Sequence, residues 1–594
     1  MAEVEQRTTG GIARWVPGIS MLRSYRRAWL RPDLIAGIIL AAILVPQGMA
    51  YAELAGLPAV TGLYTTIACL VGYALLGPSR VLVLGPDSSV SPLIFAAIVP
   101  LLAGGDTGTA IALAGMLALL VGAIEIGLGI AKLGFVADLL SKEVQVGYMN
   151  GLAITIIVGQ LPKLFGFSTD ADGFLEELRA FVEGLDDTNV TTLLLGVGTL
   201  LVLLVLPRIT KRIPAVLVAV VGATVATGVL GLADEGVATV GRLPQGLPTP
   251  SFPWTSTEDV ISLVVAAIGI VLVSLTDTIA TSTSFAARRG DEVDTNQEMI
   301  GIGSANVAAG LFQGFAISAS GSRTAVAEQS GSQSQVTGLV GAGIVAVLLL
   351  FLPGLLTSLP QTALAAVVIS AALSLMDLDA VRRYLRVRKT AFALSIVATL
   401  GVIFLGVLEG IVLAIILSIL LFFRRNWWPY GEVLGRVDRL GGWHSLERYP
   451  DGALEDGVVV YRWEAPLFFA NAGIFRQEVR GLVRRERPRW IVLQCEAVTD
   501  IDVTAADMLE RLDVELNDKG INMAFVELRD RLKDRVLRYG LYETLDRDHF
   551  YESIERALDE IRGEGTGGPA PSGADPDGPA PDDPPQVGEE GLPR

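Results

Sequence analysis

A polytopic α-helical membrane protein followed by a soluble α/β domain is the fold class this 594-residue sequence predicts. Three observations predict it. Hydrophobic residues make up 51% of the chain, and apolar runs long enough to cross a bilayer, about 20 residues each, recur from Leu34 to Phe423. Beyond residue 430 the pattern changes to short strand-like runs alternating with helical ones. Basic residues fall in short clusters between the apolar runs, as they do on one side of a membrane.

Taken in order, residues 1–31 form a cytoplasmic segment carrying Arg14, Arg23, Arg26, Arg27 and Arg31. It has no short apolar core followed by a small-residue cleavage site, so the first span is expected to stay. Later basic clusters are Arg208, Lys211 and Arg212; Arg288 and Arg289; Arg382, Arg383, Arg386, Arg388 and Lys389; and Arg424 and Arg425. The loops between them are acidic or neutral. The asymmetry puts both chain ends in the cytoplasm of a multi-pass cell-membrane protein, and about 14 spans over residues 32–425 satisfy it. Residues 430–562 read as an α/β domain. "GVVVYRW", "RWIVLQC" and "NMAFVEL" are its strands, and helical patterns cover about 472–486, 504–518, 530–540 and 549–561. Residues 563–594 are acidic and rich in Pro and Gly, and are expected to be disordered.

Two spans look broken. "RVLVLGPDSSVSPLIFAAIVPLL" opens with a β-branched run, then Gly85-Pro86, then a polar stretch, then an apolar helix. Pro86 suits a first helical turn. "GFAISASGSRTAVAEQSG" repeats the plan, with a helix expected from near Ser320. Extended backbone at membrane depth is tolerated only where protein shields it or a cavity faces it. One such segment in each half points to an inverted repeat of about 7+7 spans, with a substrate site where the half-helix N-termini meet.

The polar residues in these segments set out the chemistry. Arg323 is too costly in hydrocarbon without a cavity or partner. With Ser318, Ser320, Gly321 and Ser322 it makes an anion site at a helix N-terminus; the plainer alternative is a structural pair with Glu328. Asp87 can pair with Arg323, carry a coupling proton, or cap its own helix. Asp277 and Thr281, four apart, share a helix face, where oxygen ligands suit Na⁺ and a titrating carboxylate suits H⁺; a structural hydrogen bond is the alternative. Gln47 and Tyr51 share a face of a helix interrupted by Pro46, Gly48 and Gly56. Glu53 reads equally as a proton carrier or as an outer-boundary residue. Glu125 and Glu409 are weaker candidates.

Composition removes other classes. Net charge is −17, concentrated in the tail and in Asp170 to Asp187, so it says little about the substrate. The basic clusters are too short for a nucleic-acid partner. Cys69 and Cys495 are the only cysteines, and His444 and His549 the only histidines. They supply no disulfide framework and no zinc site, which argues against a fused enzyme such as a carbonic anhydrase. No cofactor is expected beyond a coupling ion.

Four segments in order resemble the SulP anion-transporter family with its cytoplasmic STAS domain, over residues 20 to 562. They are "RPDLIAGIILAAILVPQGMAYAELAGLPAVTGLYT", "LVLGPDSSVSPL", "GFAISASGSRTAV", and "APLFFANAGIF" with "VLQCEAVTDIDVTAADMLERL". The resemblance implies two inverted 7-span repeats divided into core and gate domains, elevator-type alternating access, and a homodimer. It places the anion among Gln47, Tyr51, Asp87, Ser88, Ser320, Gly321, Ser322 and Arg323. It places a cation at Asp277 and Thr281, as in sodium-coupled bicarbonate members. The chain departs from the family in three places. Asp87 follows the Gly-Pro pair where many members have an apolar or small residue, and Ala316 replaces a proline. Val503 stands where anti-sigma antagonists carry a phosphorylatable serine, with Thr504 adjacent.

The expectation is secondary active transport of an inorganic anion, sulfate first, coupled to H⁺ or Na⁺ through Asp277, Glu53 or Asp87. The alternatives are a Na⁺-coupled bicarbonate symporter, an H⁺-coupled C4-dicarboxylate transporter, and a regulator whose STAS domain holds a cytoplasmic partner.

Overall fold

The computed structural model describes residues 16–564, apart from 103–105, 139, 170, 172, 211–213 and 546. Most of the tail, with Arg14, Lys211 and Arg212, lies outside the described residues. The chain separates into two compact units, divided between Leu420 and Leu421.

The first unit is helical. Its helices are α1 (Leu30–Leu54), α2 (Ala59–Leu76), α3 (Ser91–Ile98), α4 (Thr107–Ile130), α5 (Lys142–Phe165), α6 (Val190–Ile209) and α7 (Ala215–Leu230). After these come α8 (Thr257–Arg289), α9 (Thr295–Leu311), α10 (Gly321–Gln329), α11 (Val336–Phe351), α12 (Gln361–Leu375), α13 (Lys389–Leu405) and α14 (Val407–Trp427). Among the described residues, 8 helices are long and apolar enough to cross a membrane, and α7, α11 and α13 are shorter apolar helices. Two surface helices, Phe174–Glu183 and Leu378–Val387, interrupt the series.

The helices pack as two groups. In the first, α1 to α4 pack with α8 to α11; in the second, α5, α6, α7, α12 and α13 pack together; α1 meets α7 and α12 between them. Glycine spacing explains the tightest contact. Gly115, Gly122 and Gly129 recur every seventh residue on α4 and face α9; a Cβ at Gly122 would stand 2.6 Å from the Gly303 carbonyl oxygen. With no hydrophobic force between helices in lipid, such small-residue stripes let dispersion act at close range.

The second unit holds one mixed sheet of β3 (Gly431–Arg436), β4 (Trp443–Ser445), β5 (Val458–Trp463), β6 (Trp490–Gln494), β7 (Asn522–Val526) and β8 (Phe550–Tyr551), in the order β4-β3-β5-β6-β7-β8. The strands β5 to β8 pair parallel, which explains their continuous apolar runs. Alternate residues of β5 enter two cores: Val459, Tyr461 and Trp463 meet α15 (Ala472–Glu486) and α16 (Val503–Asn517), while Val458 and Val460 meet α18 (Ile554–Glu564). A further helix, α17 (Asp530–Arg538), joins the first core through Leu532 and Val536. The helix expected over 549–561 begins only at Ile554, because Phe550 and Tyr551 pair with Phe525 and Val526.

Candidate functional site

The two broken spans meet at their extended segments. Short strands β1 (Leu84–Gly85) and β2 (Ser318–Ala319) pair antiparallel, and every residue of both is buried. Their remaining amides find side chains and neighbouring backbone. Thr278 Oγ1 accepts from the Ala319 amide at 3.1 Å, Thr324 Oγ1 from Val83 at 3.1 Å, and the Val83 carbonyl from Ser320 at 3.1 Å. The second half-helix then starts as the sequence predicts: Ser320 is its N-cap and Gly321 its first residue. The first does not. Pro86 lies before a turn formed by Asp87 to Val90; α3 begins at Ser91, with Pro92 in its first turn.

Arg323 is 1% exposed. Its guanidinium donates to the Pro86 carbonyl at 2.6 Å and the Gly85 carbonyl at 3.4 Å, and pairs with Asp87 at 3.5 Å. It therefore pins one half-helix to the entry of the other. Glu328 pairs instead with Arg288 and Arg289, at 3.6 and 3.8 Å, so the proposed Arg323–Glu328 pair does not form. Of the three roles its position allows, Asp87 takes the pair with Arg323 and does not cap α3. One oxygen accepts from the Ser89 amide and hydroxyl at 3.0 and 2.8 Å, an Asx-turn rather than a cap on α3; the other faces Arg323.

These residues line a cavity of about 820 Å³ between the two helix groups. The first group contributes Gln47, Tyr51, Asp87, Ser88, Asp277, Thr281 and Ser320 to Arg323. The second contributes a mostly apolar wall, including Leu203, Val216, Val367 and Ala371. Thr210, Pro214, Phe285 and Leu375, beside the arginine-bearing loops, line it toward one end. Gly321 and Ser322, the first residues of α10, have amides with no carbonyl four residues back inside the helix, and they face this space. The Gln47 side-chain oxygen is buried without a partner, so nothing fixes which end of that amide faces the cavity.

Asp277 accepts from Gln145 Nε2 at 3.2 Å, and Ser89 lies within hydrogen-bonding reach of it. Thr281, one turn on, faces Gly321, whose missing Cβ would stand 3.8 Å from the Thr281 hydroxyl. Glu53 is apart from all of these: it lines a second cavity with Lys163 and Arg242. Among the described residues no cluster of three His, Cys, Asp or Glu is placed to hold a metal ion.

Several buried partners escaped the sequence reading. Glu125 accepts from Ser274 at 3.2 Å and from Asn306 at 2.8 Å, and Asn306 in turn accepts from the Ile317 amide at 2.9 Å; this network backs β2. Asp33 accepts from Gln333 and Ser334 amides and from the Ser334 and Thr337 hydroxyls, fixing the turn after α10 to the start of α1. An isolated carboxylate or amide in an apolar run was the available signal; the partner, hundreds of residues away, was not.

Residues 30–398 match the sulfate permease family and residues 449–557 the STAS domain. A protein of Mycobacterium tuberculosis named "Probable sulfate transporter" is 41% identical over 552 residues, covering 93% of this chain and 98% of that one. "Sulfate transporter 4.1, chloroplastic" of Arabidopsis thaliana is 30% identical, over 91% and 82% of the two chains. In fold, the murine Solute Carrier 26 family member A9 anion transporter in the inward-facing state matches with a TM-score of 0.85 at 24% identity, over 94% of this chain and 97% of that one. The transmembrane domain of a cyanobacterium bicarbonate transporter matches with a TM-score of 0.59, also at 24% identity, over 66% and 98%. Match length and identity agree with the two crossed half-helices: the chain belongs to the sulfate permease family and carries a STAS domain.

Proposed function

We propose that this chain is a secondary active transporter of an inorganic anion, sulfate first, bound in the cavity where the half-helices meet and coupled to H⁺ or Na⁺. Charge is the observation that carries the reading. Arg323 is balanced by Asp87, and Asp277 adds a second carboxylate to the same cavity. The empty site thus carries about one net negative charge. An anion is repelled until a proton or Na⁺ neutralises Asp277; Thr281 supplies a further oxygen beside it. Once neutral, the site offers what an anion needs: helix N-terminal amides at Gly321 and Ser322, hydroxyls of Tyr51, Ser88, Ser320 and Ser322, and the Gln47 amide.

The eight long helices, with α3, α7, α9, α10, α11 and α13, read as the fourteen spans, and the antiparallel β1–β2 crossing supports two inverted seven-span repeats. The two packed groups correspond to core and gate, and the lining residues beside the arginine loops fit a cavity open to the cytoplasm. The names of the mycobacterial and plant relatives favour sulfate; the bicarbonate transporter shares the fold alone.

Uptake of labelled sulfate, bicarbonate and C4-dicarboxylate by the full chain in proteoliposomes, under imposed Na⁺ or pH gradients, is the test. Gradient-driven sulfate uptake is expected. Absence of transport of every anion, with a cytoplasmic protein retained on the STAS domain, would reverse the reading in favour of a regulator.

A further inference from the structure

We propose that the second cavity is an outer anion-receiving site, formed by Lys163 and Arg242 and shared in this conformation with the Glu53 carboxylate; this rests on the transport reading above. The cavity, about 390 Å³, is lined by both helix groups. Glu53, Leu57 and Pro58 come from the end of α1 and the turn after it, whereas Lys163 and Gln361 belong to α5 and α12. Arg242 lies on a segment that reaches both groups: Gln245, just after it, donates to the Leu350 carbonyl of α11 at 2.6 Å. The strand-like run before Arg242 is stitched to the start of α12, with the Val240 amide donating to Leu359 and the Gln361 amide to Ala238, each at 2.9 Å.

The cavity lies at the end of α1 remote from the arginine-bearing loops, outward by the basic-residue asymmetry. That face is acidic, with Asp106, Glu176, Asp186, Asp234 and Glu258 among its carboxylates. It carries three basic residues. Arg179 is spent on Glu183 in an exposed pair at 2.7 Å. The other two, Lys163 and Arg242, converge on this one cavity. Two cations concentrated in an otherwise acidic face raise the local anion concentration where it would otherwise be depleted. Lys163 is the cation whose charge acts on the half-buried Glu53. Glu53 and Lys163 sit on different groups, so a displacement of one group past the other separates them. With Glu53 withdrawn, Lys163 and Arg242 face an incoming anion alone. With Glu53 in place, its charge in the same cavity opposes that anion.

The test is the concentration dependence of labelled sulfate uptake from the outward face, using the full chain in proteoliposomes. K163Q and R242Q are expected to raise KM about 3- to 10-fold, the order of an electrostatic focusing effect. E53Q is expected to lower KM, because it removes the carboxylate that shares the cavity with the two cations. Arg242 is exposed, so R242Q carries the test even if K163Q misfolds. Unchanged KM in R242Q, or a KM raised in E53Q as in the lysine and arginine variants, overturns the proposal while leaving transport intact. Loss of gradient dependence in E53Q makes Glu53 a coupling group and also overturns it. A wild-type protein that moves no anion sinks the underlying reading instead.

Discussion

Replacing Arg323 by glutamine, alone and together with Asp87→Asn, separates two jobs the arginine could do. If it is a direct anion ligand, the double variant is as inactive as R323Q. If it is mainly the counter-charge for Asp87, the second substitution restores function. The structure favours the second outcome, because both terminal guanidinium nitrogens already hold partners within the protein and the remaining Nε, which has none, is buried. Breaking a buried pair by removing one partner costs about 3–5 kcal/mol. The lower end is expected, since the Asp87 side chain is 13% exposed and keeps both Ser89 donors. In transport, R323Q leaves two uncompensated carboxylates at the cavity. An extra unit charge about 6 Å from the anion, at an effective dielectric constant of about 20, is worth about 3 kcal/mol, roughly 100-fold in affinity. R323Q is therefore expected to lose about that factor in sulfate uptake, and R323Q/D87N to recover most of it. Thermal unfolding of the four proteins in detergent completes the cycle, with an expected coupling of about 1–3 kcal/mol. Additive stabilities, within about 0.5 kcal/mol, together with no recovery of uptake, would refute the counter-charge argument.

Asp277→Asn should leave downhill anion exchange in place while abolishing its stimulation by a Na⁺ or pH gradient, as read from uptake with and without the imposed gradient. Gly303→Ala should lower the thermal midpoint, because its Cβ would stand 2.7 Å from the Gly122 carbonyl oxygen, and backbone on both sides must give; about 1–3 kcal/mol is expected. In the STAS domain, hydrogen bonds from Arg480 and then Lys519 lower the Glu515 carboxyl to about 2. Its folded value lies below the unfolded value of about 4.3, so its contribution is present above that pH and is lost as pH falls towards 2. The pair is partly exposed, which limits the effect to about 1 kcal/mol. Protection of α15 and α16 from hydrogen exchange in the full chain, taken relative to the intrinsic exchange rate at each pH, should fall as pH drops from 5 to 3, and E515Q should flatten that change.

The membrane architecture was legible because lipid imposes simple rules: long apolar runs, basic loops on one side, and polar residues only where something shields them. The Ser320 helix start was legible for the same local reason, since a serine before Gly-Ser-Arg caps its own turn. The start of α3 was not. Pro86 has the chemistry of a first helical turn, yet Asp87 binds the Ser89 amide and hydroxyl and spends four residues in a turn, so Pro92 takes the role. Register at that point depends on Arg323, 237 residues away from the Pro86 carbonyl it holds. In the STAS domain the central strands β5, β6 and β7 could be read from apolar runs. The edge strands could not: β3 carries Gly431, Glu432 and Gly435, and β4 and β8 are only three and two residues long. The gathering of Gln47, Tyr51, Asp277 and Thr281 around the half-helices came from family resemblance and local spacing; the separation of Glu53 from them could come only from the packing of α1 against a second helix group.

Taken alone, the negative charge of Asp87 opposes an anion at the proposed site. Its geometry reverses that inference. A lone Arg323, 1% exposed and holding two carbonyls, would leave a buried unbalanced cation whose attraction for an anion never switches off. Such a site would bind tightly and release slowly. With Asp87 as permanent counter-charge, the crossing of β1 and β2 becomes an electrically neutral scaffold, and among the described lining residues Asp277 is the remaining charge. On the proposed reading, anion affinity is then set by whether a cation sits there, which is the condition a symporter needs. On the same reading, a site built on Arg323 alone would not couple two ions, whereas one built on the Arg323–Asp87 pair plus Asp277 would.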